Sequence, residues 1–239
     1  MAENALGVYP ISYEEVTDRE YLERFIYPDM RHNYYWSDDF SADFYIAQAK
    51  AGFLAVTDIY EGRELLMPEI QFSYVLLYFD RIHMSKKVRR ILKKKNPKLT
   101  ISSDISRIAK AIRDYHERCW LTPRYEAILQ ETQGVDESFQ VISAYIEEDG
   151  KLIAGEIGYV VGDTYTSLSG FSSREKAYRN YGTTQLVLLG HYLKSKGFSF
   201  WNLGQSYMSY KFDLGAKKYS RQAFLGRWLK HNHKRSLLP

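Results

Sequence analysis

The chain of 239 residues predicts an α+β fold, and three observations carry that prediction. Its periodic segments run in the order strand, helix, helix, three strands, helix, strand. Two hairpin dipeptides, Asp149-Gly150 and Gly162-Asp163, divide the three-strand run into an antiparallel meander. Helix starts are marked by capping residues, with Ser41, Ser85 and Thr122-Pro123 the clearest. A composition of 45% hydrophobic and 15% aromatic residues supplies the apolar surface for a core and excludes a disordered or collagen-like chain.

Taken in order, Ser12 and Glu15 have the spacing of a capping box, and Ser41 opens a helix that Gly52 ends. These form a small acidic N-terminal lobe over residues 1–68. A larger basic unit over 69–239 begins with an apolar strand at 73–80. Ser85 then caps a helix over 86–95, in which Val88, Ile91 and Leu92 make one apolar stripe. A second helix over 104–119 turns Ile105, Ile108 and Ile112 inward, and Thr122-Pro123 starts a third that runs to about 132. Strands follow at 139–147, 151–161 and 164–171. A helix at 183–195 buries Leu186, Leu189, Tyr192 and Leu193, Gly197 stops it, and 198–203 reads as a buried strand.

The net charge of +4 conceals an asymmetry. Residues 1–80 hold 5 basic and 15 acidic side chains, whereas 81–239 hold 28 and 14, which points to an acidic partner for the second part, nucleic acid first. Cys119 stands alone, so no internal disulfide or thiolate zinc site is expected. The longest apolar run, Tyr74 to Phe79, is far short of the roughly 20 residues that span a bilayer. The start of the chain lacks the basic and apolar segments of a signal peptide. A cytoplasmic protein, monomeric and away from membranes, is expected. The six histidines lack zinc-helix spacing, so no metal is expected.

Two segments carry candidate chemistry. Between 86 and 98 lie eight basic residues and no acid: Lys86, Lys87, Arg89, Arg90, Lys93, Lys94, Lys95 and Lys98. On a helix they form a band opposite the Val88 stripe, a geometry that suits a phosphate backbone. An ordinary solvated face is the competing reading, although such faces usually mix signs. The basic tail, Lys211, Lys217, Lys218, Arg221, Arg227, Lys230, Lys234 and Arg235, is a weaker signal of the same kind. The second segment is Arg179-Asn180-Tyr181-Gly182, set between a strand and a helix. Acetyl-CoA-dependent acyltransferases hold a pyrophosphate there on backbone N–H groups, and a simple glycine cap is the alternative.

Several stretches resemble the leucyl/phenylalanyl-tRNA–protein transferase family in order and spacing. Ser37 to Phe53 is similar to its N-terminal signature. His83-Met84-Ser85-Lys86-Lys87 resembles its basic helix, and Cys119-Trp120-Leu121-Thr122 its Thr-Trp-Ile-Thr segment. Lys151 to Glu156 resembles its Leu-Val-Gly-Gly strand, Ser169-Gly170-Phe171-Ser172 a strand end, and Gly204-Gln205 with Leu214-Gly215-Ala216 its Gln segment. The resemblance covers roughly 34–225.

It implies an acetyltransferase-like mixed sheet flanked by helices, and aminoacyl-tRNA as co-substrate with no further cofactor. The implied reaction moves leucine or phenylalanine to the N-terminal α-amine of an acceptor protein or peptide, marking it for degradation. The family positions the amine with carboxylates and a Gln amide. Gln205 matches that Gln, while the expected Glu falls at Leu168 and the expected Asp at Asn202 or Leu203. Both carboxylates are thus absent from their places, and Asn202 and Glu156 are the candidates to substitute. The family's Trp-Trp-Ser-Pro-Asp stretch is occupied by Leu65-Leu66-Met67-Pro68-Glu69. Ile157, Tyr165, Leu168, Leu189 and Leu193 would line an aminoacyl pocket, or equally fill a core. The basic band, with Arg179 and Gly182, would seat the tRNA. An acetyl-CoA-dependent N-acetyltransferase and a tRNA-binding protein with a degenerate site are the competing readings.

Overall fold

The computed structural model describes residues 7–231, so Lys234 and Arg235 of the basic tail and the first six residues lie outside it. The N-terminal part contains β1 (Tyr9–Pro10), α1 (Tyr13–Thr17) and α2 (Arg19–Tyr21), the last running into a π-helical turn at Leu22–Ile26. β2 (Tyr35–Trp36) pairs in parallel with β1, and α3 (Ala42–Lys50) follows. The expected capping box forms in both directions, Glu15 N to Ser12 Oγ at 3.3 Å and Ser12 N to Glu15 Oε2 at 2.9 Å. Ser41 caps α3 as its position predicts. A hairpin of β3 (Leu54–Tyr60) and β4 (Arg63–Glu69) completes this part. The sequence reading lacks it because its turn, Glu61-Gly62, reaches positive φ at both residues without the usual Asn-Gly or Asp-Gly signal.

The larger part is built on a mixed seven-stranded sheet flanked by helices, as expected. Its strands are β5 (Ser73–Leu77), β6 (Leu99–Ser102), β7 (Phe139–Glu148), β8 (Lys151–Val161), β9 (Thr164–Ser172), β10 (Phe200–Asn202) and β11 (Lys217–Ser220), in spatial order β11-β5-β10-β9-β8-β7-β6. β7, β8 and β9 form the predicted meander. Within this sheet, among the described residues, β9 and β10 alone pair in parallel, and they do so through three residue pairs, Phe200 to Asn202 with Thr164 to Thr166. The helices are α4 (Lys86–Lys95), α5 (Ser106–Tyr115), α6 (Pro123–Glu131), α7 (Tyr181–Ser195), α8 (Ser209–Asp213) and α9 (Arg221–His231). α5 is shorter than its apolar pattern suggests, since backbone at His116 turns extended.

Both faces of the sheet are covered. On one, Ile157, Tyr159 and Val161 of β8 pack with Phe44, Tyr45, Ile112, Tyr125 and Phe224, so one cluster joins the N-terminal elements to α5, α6 and α9 across position 68. On the other, Val160 and Tyr165 pack with Leu189 and Leu193 of α7, together with Val88 of α4. Strand alternation fixes this division and leaves Glu156 and Gly158 on the α7 face. Gly215 has φ +103° and sits so close to Arg81 that an added Cβ would lie 2.0 Å from that carbonyl oxygen. The Leu214-Gly215-Ala216 segment is therefore held to glycine by a backbone-to-backbone approach.

Candidate active site

The parallel seam between β9 and β10 ends at Thr166 and Asn202, while β9 continues to Ser172. Beyond that point the strands diverge and open a cleft of about 670 Å³. Leu168 lies at the start of the divergence as the extra residue of a β-bulge, because Ile157 pairs with Ser169 and Gly158 with Ser167. The cleft is lined from the N-terminal part by Glu69 and Gln71, from the meander by Glu156, Ser167 and Leu168, and from the loop after β10 by Gln205.

Gln205 and Glu69 form the centre of one wall. Gln205 Nε2 donates to Glu69 Oε2 at 2.7 Å, and Glu69 also accepts from Asn33 Nδ2 at 2.8 Å and Gln71 Nε2 at 3.2 Å. With 5% exposure and three amide donors, the Glu69 carboxylate is fixed in direction. Tyr34 stands 3.4 Å from the Gln205 amide, and its phenol is pushed up to about 12 by burial first and then by the nearby Glu69 charge. Gln205 itself is held by Lys211, whose ammonium donates to the carbonyls of Leu203 and Gln205, the latter at 2.8 Å. Burial lowers Lys211 to about 8.

Glu156 lies on the opposite wall, 4% exposed. Its Oε1 accepts from Tyr165 Oη at 2.9 Å and Ser167 Oγ at 2.7 Å, and Trp201 Nε1 in turn donates to Ser167 at 2.8 Å. Gly158 makes the room for this, since a Cβ there would come within 2.3 Å of the Tyr165 hydroxyl. Burial pushes the Glu156 carboxyl up to about 7, against the Ser167 and Tyr165 hydroxyls and the Gln185 amide, which favour the ionised form.

The structure thus brings Gln205, Glu156 and Leu168 to the cleft and leaves other expected residues elsewhere. Asn202 is buried in β10, where its Oδ1 accepts from Gly204 N at 3.0 Å and shapes the loop; it does not line the cleft. Ile157 belongs to one core and Tyr165, Leu189 and Leu193 to the other, because alternation along β8 and β9 and the inward face of α7 turn them into packing. They fill the core. Of these, Tyr165 serves the site only through its hydroxyl. Glu69 and Lys211 are the site residues that the sequence reading did not assign to the site; Lys211 and Arg221, read there as part of a basic tail for phosphates, are buried and bonded to main-chain carbonyls. The signal for Glu69 was present, since Pro68-Glu69 stands where the resembled family has Pro-Asp.

Gly182 and Thr183 line the cleft at the start of α7, whose N-cap, Asn180, is in the left-handed region with no side-chain capping bond. Arg179 is exposed on the turn before it. On α4, Lys86, Lys87, Arg89, Arg90, Lys93, Lys94 and Lys95 are all exposed, and none has an ion-pair partner among the described residues. Val88 is buried and Ile91 packs beside Tyr181 at the start of α7, so the basic face runs alongside the helix that opens on the cleft.

A family model described as leucyl/phenylalanyl-tRNA protein transferase matches residues 76–229. The chain belongs to that family. A leucyl/phenylalanyl-tRNA–protein transferase of Pseudomonas fluorescens (strain Pf0-1) is 25% identical over 159 residues, covering 65% of this chain and 67% of that protein. Membership supports a transferase, as a divergent member of the family. Among solved structures, the C-terminal domain of a putative lysylphosphatidylglycerol synthetase from Agrobacterium fabrum is 14% identical with a TM-score of 0.44, over 78% of this chain and 69% of that one. L-PGS from Bacillus licheniformis is 12% identical with a TM-score of 0.40, over 65% of this chain and 49% of that one. No helix of the described residues is long and apolar enough to cross a membrane.

Proposed function

We propose that the protein transfers an aminoacyl group from aminoacyl-tRNA to the α-amine of an acceptor protein's N-terminal residue. The observation that carries the reading is the Gln205–Glu69 pair, a buried carboxylate bonded to the family-matched Gln inside the cleft of a family transferase. Glu69 takes the place of the carboxylates missing at positions 168 and 202 or 203. It supports an enzyme over a tRNA-binding protein with a degenerate site.

The reaction is aminolysis of an ester. The amine nitrogen bonds to the acyl carbon, the bond from that carbon to the ribose oxygen breaks, and a proton passes from the amine to the released hydroxyl. Glu69 offers negative charge to the positive charge that grows on the neutral amine's nitrogen as it attacks, and Gln205, whose Oε1 has no hydrogen-bond partner among the described residues, accepts from an amine N–H and fixes its approach. The open backbone N–H groups at Gly182 and Thr183 suit a phosphate of the tRNA 3′ end, with Arg179 nearby and the α4 band holding phosphates further along the acceptor stem. On this reading the product enters a degradation route that recognises the new N-terminal residue.

Glu69→Gln and Gln205→Ala are each expected to lower kcat/KM for transfer by about 100-fold, with tRNA affinity close to that of the parent. Transfer of labelled aminoacyl groups from a mixed charged-tRNA pool to peptides of varied N-terminus is the measurement; variants within twofold of the parent would refute the assigned roles. Changing Lys93, Lys94 and Lys95 together to Ala removes three phosphate contacts. The slope of log affinity against log salt should then flatten by roughly 2 to 3 in a filter-binding titration, and an unchanged slope rules out the band as the tRNA seat.

A further inference from the structure

Opposite the Gln205–Glu69 pair, the wall expected to be apolar carries a buried carboxylate. Glu156 lines the cleft with Ser167 and Gln185, while the aliphatic residues that would make a leucine pocket, Ile157, Leu189 and Leu193, are committed to the cores. Tyr165 and Ser167 hold Oε1 of Glu156, and the Gln185 amide also favours its ionised form, but all three partners are neutral. No Lys or Arg pairs with it there either. Lys211, the buried ammonium of the same cleft, is spent on the Leu203 and Gln205 carbonyls. A carboxylate kept this far from water without a protein cation is costly unless a ligand completes it. Around it, Leu168, Phe171 and Leu186 offer apolar surface along the way in. A charged tip on an aliphatic stem matches both features, whereas a leucyl or phenylalanyl side chain would leave the carboxylate buried without a counter-charge.

We infer that the aminoacyl group carried by the donor tRNA has a cationic side chain of the lysine or arginine class, and that Glu156 selects it. The donor, not the acceptor, is assigned to this wall because Glu156 shares it with Gln185, Gly182 and Thr183 at the start of α7, where the tRNA 3′ end is seated, while the acceptor amine meets Gln205 and Glu69. The inference rests on the transferase reading above but is read by a separate measurement.

The probes are non-hydrolysable 3′-aminoacylamino-adenosine analogues carrying lysyl, arginyl, leucyl or phenylalanyl groups, titrated against the full chain by calorimetry. The lysyl and arginyl analogues should bind at least about tenfold more tightly than the leucyl and phenylalanyl ones, as one charge-assisted contact allows. Glu156→Gln, which keeps an acceptor for Tyr165 and Ser167, should reduce that ratio to near one, and Glu156→Leu should reverse it. Equal affinities in the parent, a leucyl preference, or an undiminished ratio in both variants would overturn the inference. Transfer with labelled lysyl- and leucyl-tRNA is run beside it. Failure of every donor while the lysyl preference in binding persists counts against the transferase reading and leaves Glu156 as the selector; transfer of leucine with no lysyl preference counts against Glu156 alone.

Discussion

Arg221→Met is expected to lower the free energy of unfolding by about 3–5 kcal/mol, the range for removing one partner from a buried charged network. Arg221 opens α9 at 1% exposure. Its Nε donates to Gln71 O at 3.1 Å, Nη1 to Ile26 O at 3.3 Å and to Asp29 O, and Nη2 to His32 O at 3.2 Å and Ile70 O at 2.6 Å. Five main-chain carbonyls from two separate stretches thus converge on one guanidinium. Methionine fills the volume and satisfies none of them, and lysine lacks the planar fork that reaches all five. Because Ile70 and Gln71 directly follow Glu69, the variant should also lose transfer activity at temperatures where it remains folded. Urea unfolding followed by tryptophan fluorescence measures the first effect; a loss below about 1 kcal/mol would show that solvent replaces the network.

Glu156→Gln should have the opposite sign, and only at higher pH. The folded-state value near 7 lies above the ordinary 4.5 of a glutamate, so the folded protein holds a proton that the unfolded chain has released. A raised carboxyl of this kind favours the fold below pH 4.5, and that advantage is lost as pH rises to about 7. The full cost is about 3 kcal/mol. Glutamine keeps the acceptor oxygen and cannot ionise, so the variant should be more stable than the parent by up to that amount at pH 8 and equal to it near pH 4. Unfolding curves at the two pH values decide the matter: a difference of the same size at both would mean that packing, and not ionisation, separates the two proteins. The gain in stability and the loss of lysyl preference would then share one origin, a charge that the fold tolerates for the sake of its ligand.

Much of the architecture could be read from residues. Ser12, Ser41, Ser85 and Thr122 cap the helices their positions predict, and the Asp149-Gly150 and Gly162-Asp163 turns set the meander. Local chemistry suffices for such elements. β6, β11 and the β3–β4 hairpin were not legible, because the first two are four-residue edge strands and the third turns without a standard dipeptide. The site was half legible. Gln205 follows from its spacing to Leu214-Gly215-Ala216, but Glu69 reaches it from 136 residues away and only tertiary pairing reveals the contact. The apolar residues of β8, β9 and α7 illustrate the remaining limit. Periodicity marks a side chain as buried without saying whether it faces a core or a cleft, and here Ile157, Leu189 and Leu193 went to the core while the charged Glu156 took the wall.

The three-pair parallel seam between β9 and β10 has a mechanical consequence. It divides the sheet into a leaf of β11, β5 and β10 and a leaf of β9, β8, β7 and β6, each stitched internally by antiparallel ladders. Across so short a seam the two leaves are held by side chains: Trp201 Nε1 donates to Ser167 at 2.8 Å, and Val75, Leu77 and Trp201 pack with Val160 and Tyr165. Gln205 follows the first leaf and Glu156 belongs to the second. On the proposed reading the two substrates are gripped by different leaves, so the distance between nucleophile and ester is set by the packing that joins them across the seam.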